Sequence, residues 1–357
     1  MKAGDRYAAR TPSSLQEHRQ ALSHRGWLFE ERGRHQRACL RDTPLVVALV
    51  NNMPDGAFRE TERQFADLLT AAAAGVPFQL VKYWMPGVPR GAEVRRAIAT
   101  DYLPLDDIYR GHSDALIVTG TEPSCSRLTD EPFFANLATL IEWAETNTRA
   151  TLLSCLAAHA AVLLFDGLER TPLPAKATGV FRDSVAGEGS LVQGMGRTAW
   201  MPHSRLNDVD ASRMRAVGYL PLLESATTWT AMAKMRHNCL FLLYQGHPEY
   251  GPTTLLREHR RDVRRYLRGE AATYPARPRG YFDPVGDAIL ARFEHLVTSH
   301  GPREELLGSF PTEALEEHIK PRWTTPAVRL YSNWLSHLQA RRQPQTRGLG
   351  TAGTALV

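Results

Sequence analysis

The chain has 357 residues, 43% hydrophobic and 23% charged, enough for two average domains or one large α/β domain with appended segments. Its net charge of +5 is modest, and its 43 basic residues, almost all arginine, form no stripe interleaved with aromatics, which argues against nucleic-acid binding. No apolar run approaches the ~18 residues of a membrane span and the N-terminus carries no signal-peptide core, so a cytoplasmic chain without a membrane partner is expected.

Residues 1–42 are polar, Arg- and His-rich and read as a basic N-terminal extension rather than core. Apolar runs then alternate with helical stretches. PLVVALV (44–50) precedes a helical 61–75, then FQLVKYW (78–84), a helical 93–100, ALIVTG (115–120) and a helical 133–146. Thr151-Leu152-Leu153 reads as a short buried strand and Leu156 onward as an Ala-rich helix. Strands unbroken by charge and separated by helices predict a parallel sheet covered on both faces, hence an α/β fold. From 165 to 235 the segments become shorter and turn-punctuated, which suits antiparallel hairpins in a smaller α+β portion. NCLFLLYQ (238–245) is a further buried strand, and LREHRRDVRRYLRGE (256–270) a strongly basic helix. Residues 340–357, rich in Gly, Thr and Arg, predict a disordered tail. There is no internal repeat and no Gly-rich phosphate loop.

In a sheet of this kind the site lies at the carboxyl ends of the parallel strands, where Asn51, Gly120, Cys155 and His247 all fall. The four cysteines, Cys39, Cys125, Cys155 and Cys239, form no CxxC pair, so neither a disulfide framework nor a zinc site is suggested. Cys155 falls at a strand-to-helix turn, where a nucleophile is exposed beside the positive end of a helix dipole. His247 and Glu249 follow a buried strand two residues apart, so their side chains share a face and the carboxylate can orient the imidazole. A thiol, an imidazole and a carboxylate so placed are the parts of an acyl-transfer triad. The plainer alternative for each is a small core cysteine or a structural histidine.

Six segments carry a resemblance. VNNMPDGAFRETERQF (50–65), DALIVTGTEP (114–123), SCLAAHAAV (154–162), KATGVF (176–181), PHSR (202–205) and GHPEY with TLLREHRRD (246–262) occur in the order and spacing of homoserine O-acyltransferases. This is the homoserine O-succinyltransferase family, of the class I glutamine-amidotransferase-like type. The resemblance covers roughly 44–275, and a matching NWL (333–335) suggests a fold ending near 340, so 43–338 is expected as the acyltransferase domain and 339–357 as tail. It implies a flavodoxin-like α/β sheet and an enzyme of methionine biosynthesis. Such an enzyme moves an acyl group from acyl-coenzyme A, a co-substrate, to the hydroxyl of homoserine. It also implies small-molecule substrates, no metal or bound cofactor, and a homodimer.

Carried over by position, Cys155 is the nucleophile, His247 the general base and Glu249 its orienting partner. Lys176, one of only five lysines, Ser204 and Arg261 match residues that contact the amino-acid substrate, Arg261 by gripping its carboxylate. Each has a plainer reading: a solvent-exposed lysine, a helix cap before NDVDASRM, and an arginine paired with Asp262 or Glu258.

The sequence departs from the family in three places. Met53-Pro54 is followed by Asp55-Gly56 where the family has two lysines, so the oxyanion would rely on backbone N–H groups such as that of Leu156. Leu156 itself stands where tryptophan is common. In the loop that selects the acyl group, Ser124 falls at the position where a small residue goes with succinyl, while Glu122 lies two positions earlier; succinyl is the expectation. The rival readings are a paralogue acylating serine or another hydroxy amino acid, a glutamine-amidotransferase-like hydrolase, and a binding protein. Against the hydrolase, the glycines that usually flank its nucleophile are missing here, with Leu153 and Ala157 in their places.

Overall fold

The computed structural model describes residues 43–186 and 189–342. Strands β1 (Leu45–Asn51), β2 (Phe78–Trp84), β3 (Leu103–Pro104), β4 (Ala115–Val118), β5 (Ala150–Ser154) and β10 (Cys239–Tyr244) pair in parallel. Strands β6 (Thr171–Val185), β7 (Thr198–Asp208), β8 (Leu220–Glu224) and β9 (Trp229–Arg236) continue the sheet antiparallel from β10. The order across the ten described strands is β3-β2-β1-β4-β5-β10-β9-β8-β6-β7. Without the two-residue β3, the parallel half has the flavodoxin-like order.

Alternation along the central strands explains the double cover. Val47 and Leu49 of β1, Ala115 and Ile117 of β4, and Leu240 and Leu242 of β10 point into one core. Ala48 and Val50, Leu116 and Val118, and Phe241 and Leu243 point into the other. Each fully buried Leu, Val, Ile or Phe contributes roughly 1.5–3 kcal/mol by leaving water. The first core is closed by α1 (Asp55–Ala72), α6 (Thr254–Leu267), α7 (Pro284–His300) and α9 (Thr324–Arg342), through Phe65, Leu256, Phe293 and Trp334. The second is closed by α3 (Phe134–Asn147), α4 (Leu156–Asp166) and α5 (Ala211–Ala216), through Leu140, Ala160 and Met214. A third, small cluster sets α2 (Ala92–Asp101) against Phe58.

The segment from 165 to 235 forms the expected antiparallel strands with α5 among them, but two details change. Its strands extend the main sheet, and β6 and β7 are 15 and 11 residues long rather than short. A register shift between Pro172 and Ala177, beside two prolines, interrupts the pairing of β6 with β7. The domain also runs past 338, because α9 reaches Arg342, whose guanidinium donates to Thr43 O (2.6 Å) and pairs with Asp114 (3.2 Å). The expected extension over 1–42 and the remainder of the tail, 343–357, lie outside the described residues, as does Cys39.

The segment after α6, including α8 (Thr312–Glu316), does more than cover the sheet. Trp323 Nε1 donates to Tyr250 O (2.7 Å) and the Tyr281 hydroxyl to Pro252 O, so the turns leading into α9 and α7 grip the turn that follows β10. Among the described residues no helix is long and apolar enough to cross a membrane.

Candidate active site

Cys155 sits between β5 and α4 with φ 51° and ψ −110°. A positive φ in a non-glycine residue costs on the order of 1–3 kcal/mol and persists only where the surroundings enforce it. Here the Cys155 N–H donates to Tyr244 O on β10 (2.6 Å), and its carbonyl accepts from His159 N on α4 (3.1 Å). The elbow lifts the thiol out of the sheet and leaves it partly exposed. Leu156 is the first helical residue, so its N–H has no intrahelical acceptor. Gly120, two residues past the end of β4, lies against this turn. A Cβ there would stand 3.2 Å from Cys155 Cβ and 3.3 Å from Leu156 N, so glycine keeps the approach open.

His247 and Glu249 lie in the turn after β10 rather than on an extended strand, which ends at Tyr244. The expected contact forms all the same: His247 Nδ1 donates to Glu249 Oε1 at 2.8 Å. The Ser154 hydroxyl approaches the same oxygen at 3.4 Å, and the His247 ring stacks on Tyr250 with centroids 4.3 Å apart. His247 N–H is tied to Pro202 O on β7 (2.8 Å). Burial opposes a charged imidazole, yet the Glu249 carboxylate and the neighbouring Cys155 thiol outweigh it and raise the His247 pKa well above its ordinary value. With Nδ1 committed to Glu249, buried Nε2 makes no hydrogen bond of good geometry and is the nitrogen left for the thiol and its substrate.

A charged network adjoins this triad. The Tyr250 hydroxyl donates to Glu258 Oε1 (2.7 Å), and the Ser204 hydroxyl donates to Glu258 Oε2. Lys176 Nζ lies 2.6 Å from Asp262 Oδ2 and 3.7 Å from Glu258 Oε2, while Arg261 holds Asp262 Oδ1 at 3.0 Å. Burial works against ionisation of Asp262, but Lys176 and Arg261 prevail and keep its carboxyl below the usual range. Arg265, one turn beyond Arg261, takes Glu122 in a two-pronged pair of 2.8 and 3.1 Å. Its hydrogen bonds hold the Glu122 carboxyl down. The loop after β4 is thereby fastened to α6.

Farther along that loop, the Ser124 N–H and hydroxyl and the Cys125 N–H all donate to the buried carboxylate of Glu131, at 2.7, 2.8 and 2.7 Å. Arg170 stands close to this group: burial pushes its guanidinium down, against the pull of Glu131 and Cys155. The Met53–Gly56 stretch, without lysines, is held by Arg90, whose guanidinium donates to Met53 O and to Asn51 O (3.2 Å) and covers the Phe58 ring at 4.6 Å. Among the described residues no group of three or more His, Cys, Asp or Glu side chains could hold a metal ion.

The sequence profile described as homoserine O-succinyltransferase matches residues 16–345 of the chain. A homoserine O-succinyltransferase of Rhodopseudomonas palustris is 39% identical over 295 residues, covering 82% of this chain and 88% of its own. One from Methylorubrum extorquens is 39% identical over 298 residues, covering 83% and 88%. The chain belongs to the homoserine O-succinyltransferase family. Among solved structures, a glutamine amidotransferase from Thermotoga maritima aligns with a TM-score of 0.41 at 12% identity, over 84% of this chain and 98% of that one.

The family match extends past both ends of the 44–275 region recognised from motifs. Of the residues expected at the site, Cys155, His247 and Glu249 converge, and Lys176, Ser204 and Arg261 meet on the Glu258–Asp262 pair of α6. Lys176 is not a free surface lysine, and Ser204 is not a cap: it lies on β7, and Asp210 caps α5 instead. The plainer reading of Arg261, a pair with Asp262, is geometrically correct. Glu122 and Ser124 share a loop, but their side chains turn to different partners, Arg265 and Glu131. Tyr250, Arg265, Glu131 and Arg170 had no assigned role in the sequence. Arg265 was legible, since Glu258, Arg261, Asp262 and Arg265 repeat at the three- and four-residue spacing of one helix face.

Proposed function

We propose that the chain is a homoserine O-succinyltransferase that works through an acyl-enzyme on Cys155. The observation that carries this is the His247–Glu249 pair, 2.8 Å apart, whose second imidazole nitrogen is left for the adjacent Cys155 thiol at a nucleophile elbow. The Cys155 thiolate attacks the carbonyl carbon of an acyl-coenzyme A thioester. The resulting oxyanion is met by the Leu156 N–H at the start of α4. The C–S bond to coenzyme A breaks, and the departing thiolate takes the proton held on His247. In the second half, His247 Nε2 removes the proton from the homoserine hydroxyl as its oxygen attacks the acyl-Cys155 carbonyl. Collapse releases the ester and restores the thiolate with a protonated imidazole.

The acceptor reading draws support from charge. Two carboxylates, Glu258 and Asp262, interleaved with Lys176 and Arg261, complement a zwitterion: the cations for its carboxylate, Glu258 for its ammonium. Succinyl is the acyl group we favour, with Ser124 the small residue in the selecting loop and Glu122 drawn aside by Arg265. The reading calls for no metal or bound cofactor, with acyl-coenzyme A as co-substrate, and places the enzyme in the cytoplasm as a homodimer in methionine biosynthesis. Turnover assays with succinyl- and acetyl-coenzyme A against homoserine, serine and other hydroxy amino acids test it. Highest kcat/KM for succinyl-coenzyme A with homoserine is expected; preference for another acceptor would favour the paralogue reading.

Arg261→Ala and Lys176→Ala separate the two halves of the reaction. Losing one partner of a desolvated charge pair costs roughly 2–5 kcal/mol, so acyl transfer to the acceptor should fall at least ~30-fold. Acyl loading needs only the thioester, so a single-turnover burst of coenzyme A should persist. Equal loss of both halves would make these residues scaffold for α6.

A further inference from the structure

The nucleophile and its base come from different strands, and each lies just beyond its strand end, where sheet pairing no longer fixes position. Cys155 follows β5 and His247 follows β10. Besides Cys155 N to Tyr244 O, Ser154 to Glu249 and the approach of the Cys155 thiol to His247, a buried side-chain contact ties the two segments together: His159 Nε2 with Gln245 Oε1, at 2.8 Å. We propose that His159 and Gln245 are a positioning pair that sets the approach of His247 Nε2 to Cys155. The proposal rests on the triad reading above.

His159 lies one turn along α4 from the nucleophile, and its N–H binds the Cys155 carbonyl at 3.1 Å, so ring and elbow move as one unit. Gln245 lies two residues before His247 and is fully buried. Its Nε2 donates to Thr228 Oγ1 and to Trp229 O, each at 2.9 Å, which leaves Oε1 to accept from His159. That assignment puts the His159 proton on Nε2. Burial pushes the His159 pKa down to about 4, so the ring is a neutral donor at working pH. Turning the amide over would oppose N–H to N–H and oxygen to the Trp229 carbonyl, so it is locked.

The constraint reaches His247 through one residue without slack. Gln245 N and Gly246 N both donate to Thr230 O, at 2.8 and 3.2 Å. A Cβ on Gly246 would come within 2.7 Å of Thr230 Cγ2 and 3.2 Å of Pro202 O. Beyond Gln245 the chain of bonds continues through Thr228 to Asp208 (2.8 Å) and on to Arg205 (2.9 Å), anchoring the pair to β7. Packing alone does not need this: an apolar side chain would fill the same volume without leaving a donor to satisfy.

His159→Leu keeps bulk and removes the donor, His159→Gln keeps an N–H donor, and Gln245→Met is a second route to the same loss. A misplacement of about 1 Å costs up to ~100-fold, so His159→Leu should slow acyl loading of Cys155 on the order of 10–100-fold. Acceptor KM should stay within about twofold, because α6 is untouched. The pH step that His247 imposes on iodoacetamide alkylation of Cys155 should shift in His159→Leu and be restored in His159→Gln. If His159→Leu fails to fold, Gln245→Met gives the same readouts. Wild-type loading rate and pH step in either folded variant, or equal loss in His159→Gln and His159→Leu, would overturn the proposal. Failure of the triad itself shows separately, as a wild-type pH step in His247→Ala.

Discussion

Cys155→Ser and His247→Ala are each expected to lower acyl transfer by at least ~10²-fold while leaving the melting transition near that of the parent chain. Neither side chain is needed for the core. Cys155 is held in its elbow by backbone bonds to Tyr244 and His159, which serine retains. His247 is fixed through its N–H to Pro202 O, and the turn it occupies is gripped from behind by Trp323 and Tyr281. The two losses should not add, because nucleophile and base act in one step. Retention of more than about a tenth of the parental kcat by Cys155→Ser would remove the covalent route.

Glu249→Gln is expected to have the second-largest effect, a loss of ~10²–10⁴-fold in kcat with an intact fold. The glutamine is nearly isosteric, but it loses the negative charge opposite Nδ1 and is free to present its NH₂ there, which would reverse the imidazole tautomer. The Glu249 carboxylate and the Cys155 thiol hold the His247 pKa up against burial. Taking the carboxylate away leaves burial to dominate, so the His247 pKa must fall in the variant. An NMR titration of the imidazole reads this directly, and alkylation of Cys155 should still occur. A collapsed melting transition, with Ser154, Tyr244 and Tyr331 packed around an emptied charge site, would instead mark Glu249 as a structural carboxylate.

The central parallel strands were legible because they are buried on both faces and therefore read as unbroken apolar runs; β2, partly buried nearer the edge, still coincides with the expected 78–84. The triad was legible for a local reason, a cysteine at a strand-to-helix turn and a histidine two residues from a carboxylate. The route of that last contact was not: alternation along a strand brings His247 and Glu249 together on paper, whereas the chain does it with a turn. The C-terminal helices escaped notice although Asp283-Pro284 announces α7, with Asp283 accepting from Val285 and Gly286 N–H at 3.0 Å. Leu330, Trp334 and Leu338 of α9 likewise repeat every four residues. The Glu122–Arg265 pair joins residues 143 apart, and no local pattern announces a contact of that range. It appears only once the fold brings the loop after β4 against α6.

The most direct measurement is intact mass and peptide mapping of the wild-type chain after brief exposure to succinyl-coenzyme A without acceptor. The account predicts one succinyl adduct per chain, located on Cys155, absent from Cys155→Ser and discharged on adding homoserine with formation of the ester. Turnover with no adduct at any time point, or an adduct on another residue that homoserine discharges, would contradict it.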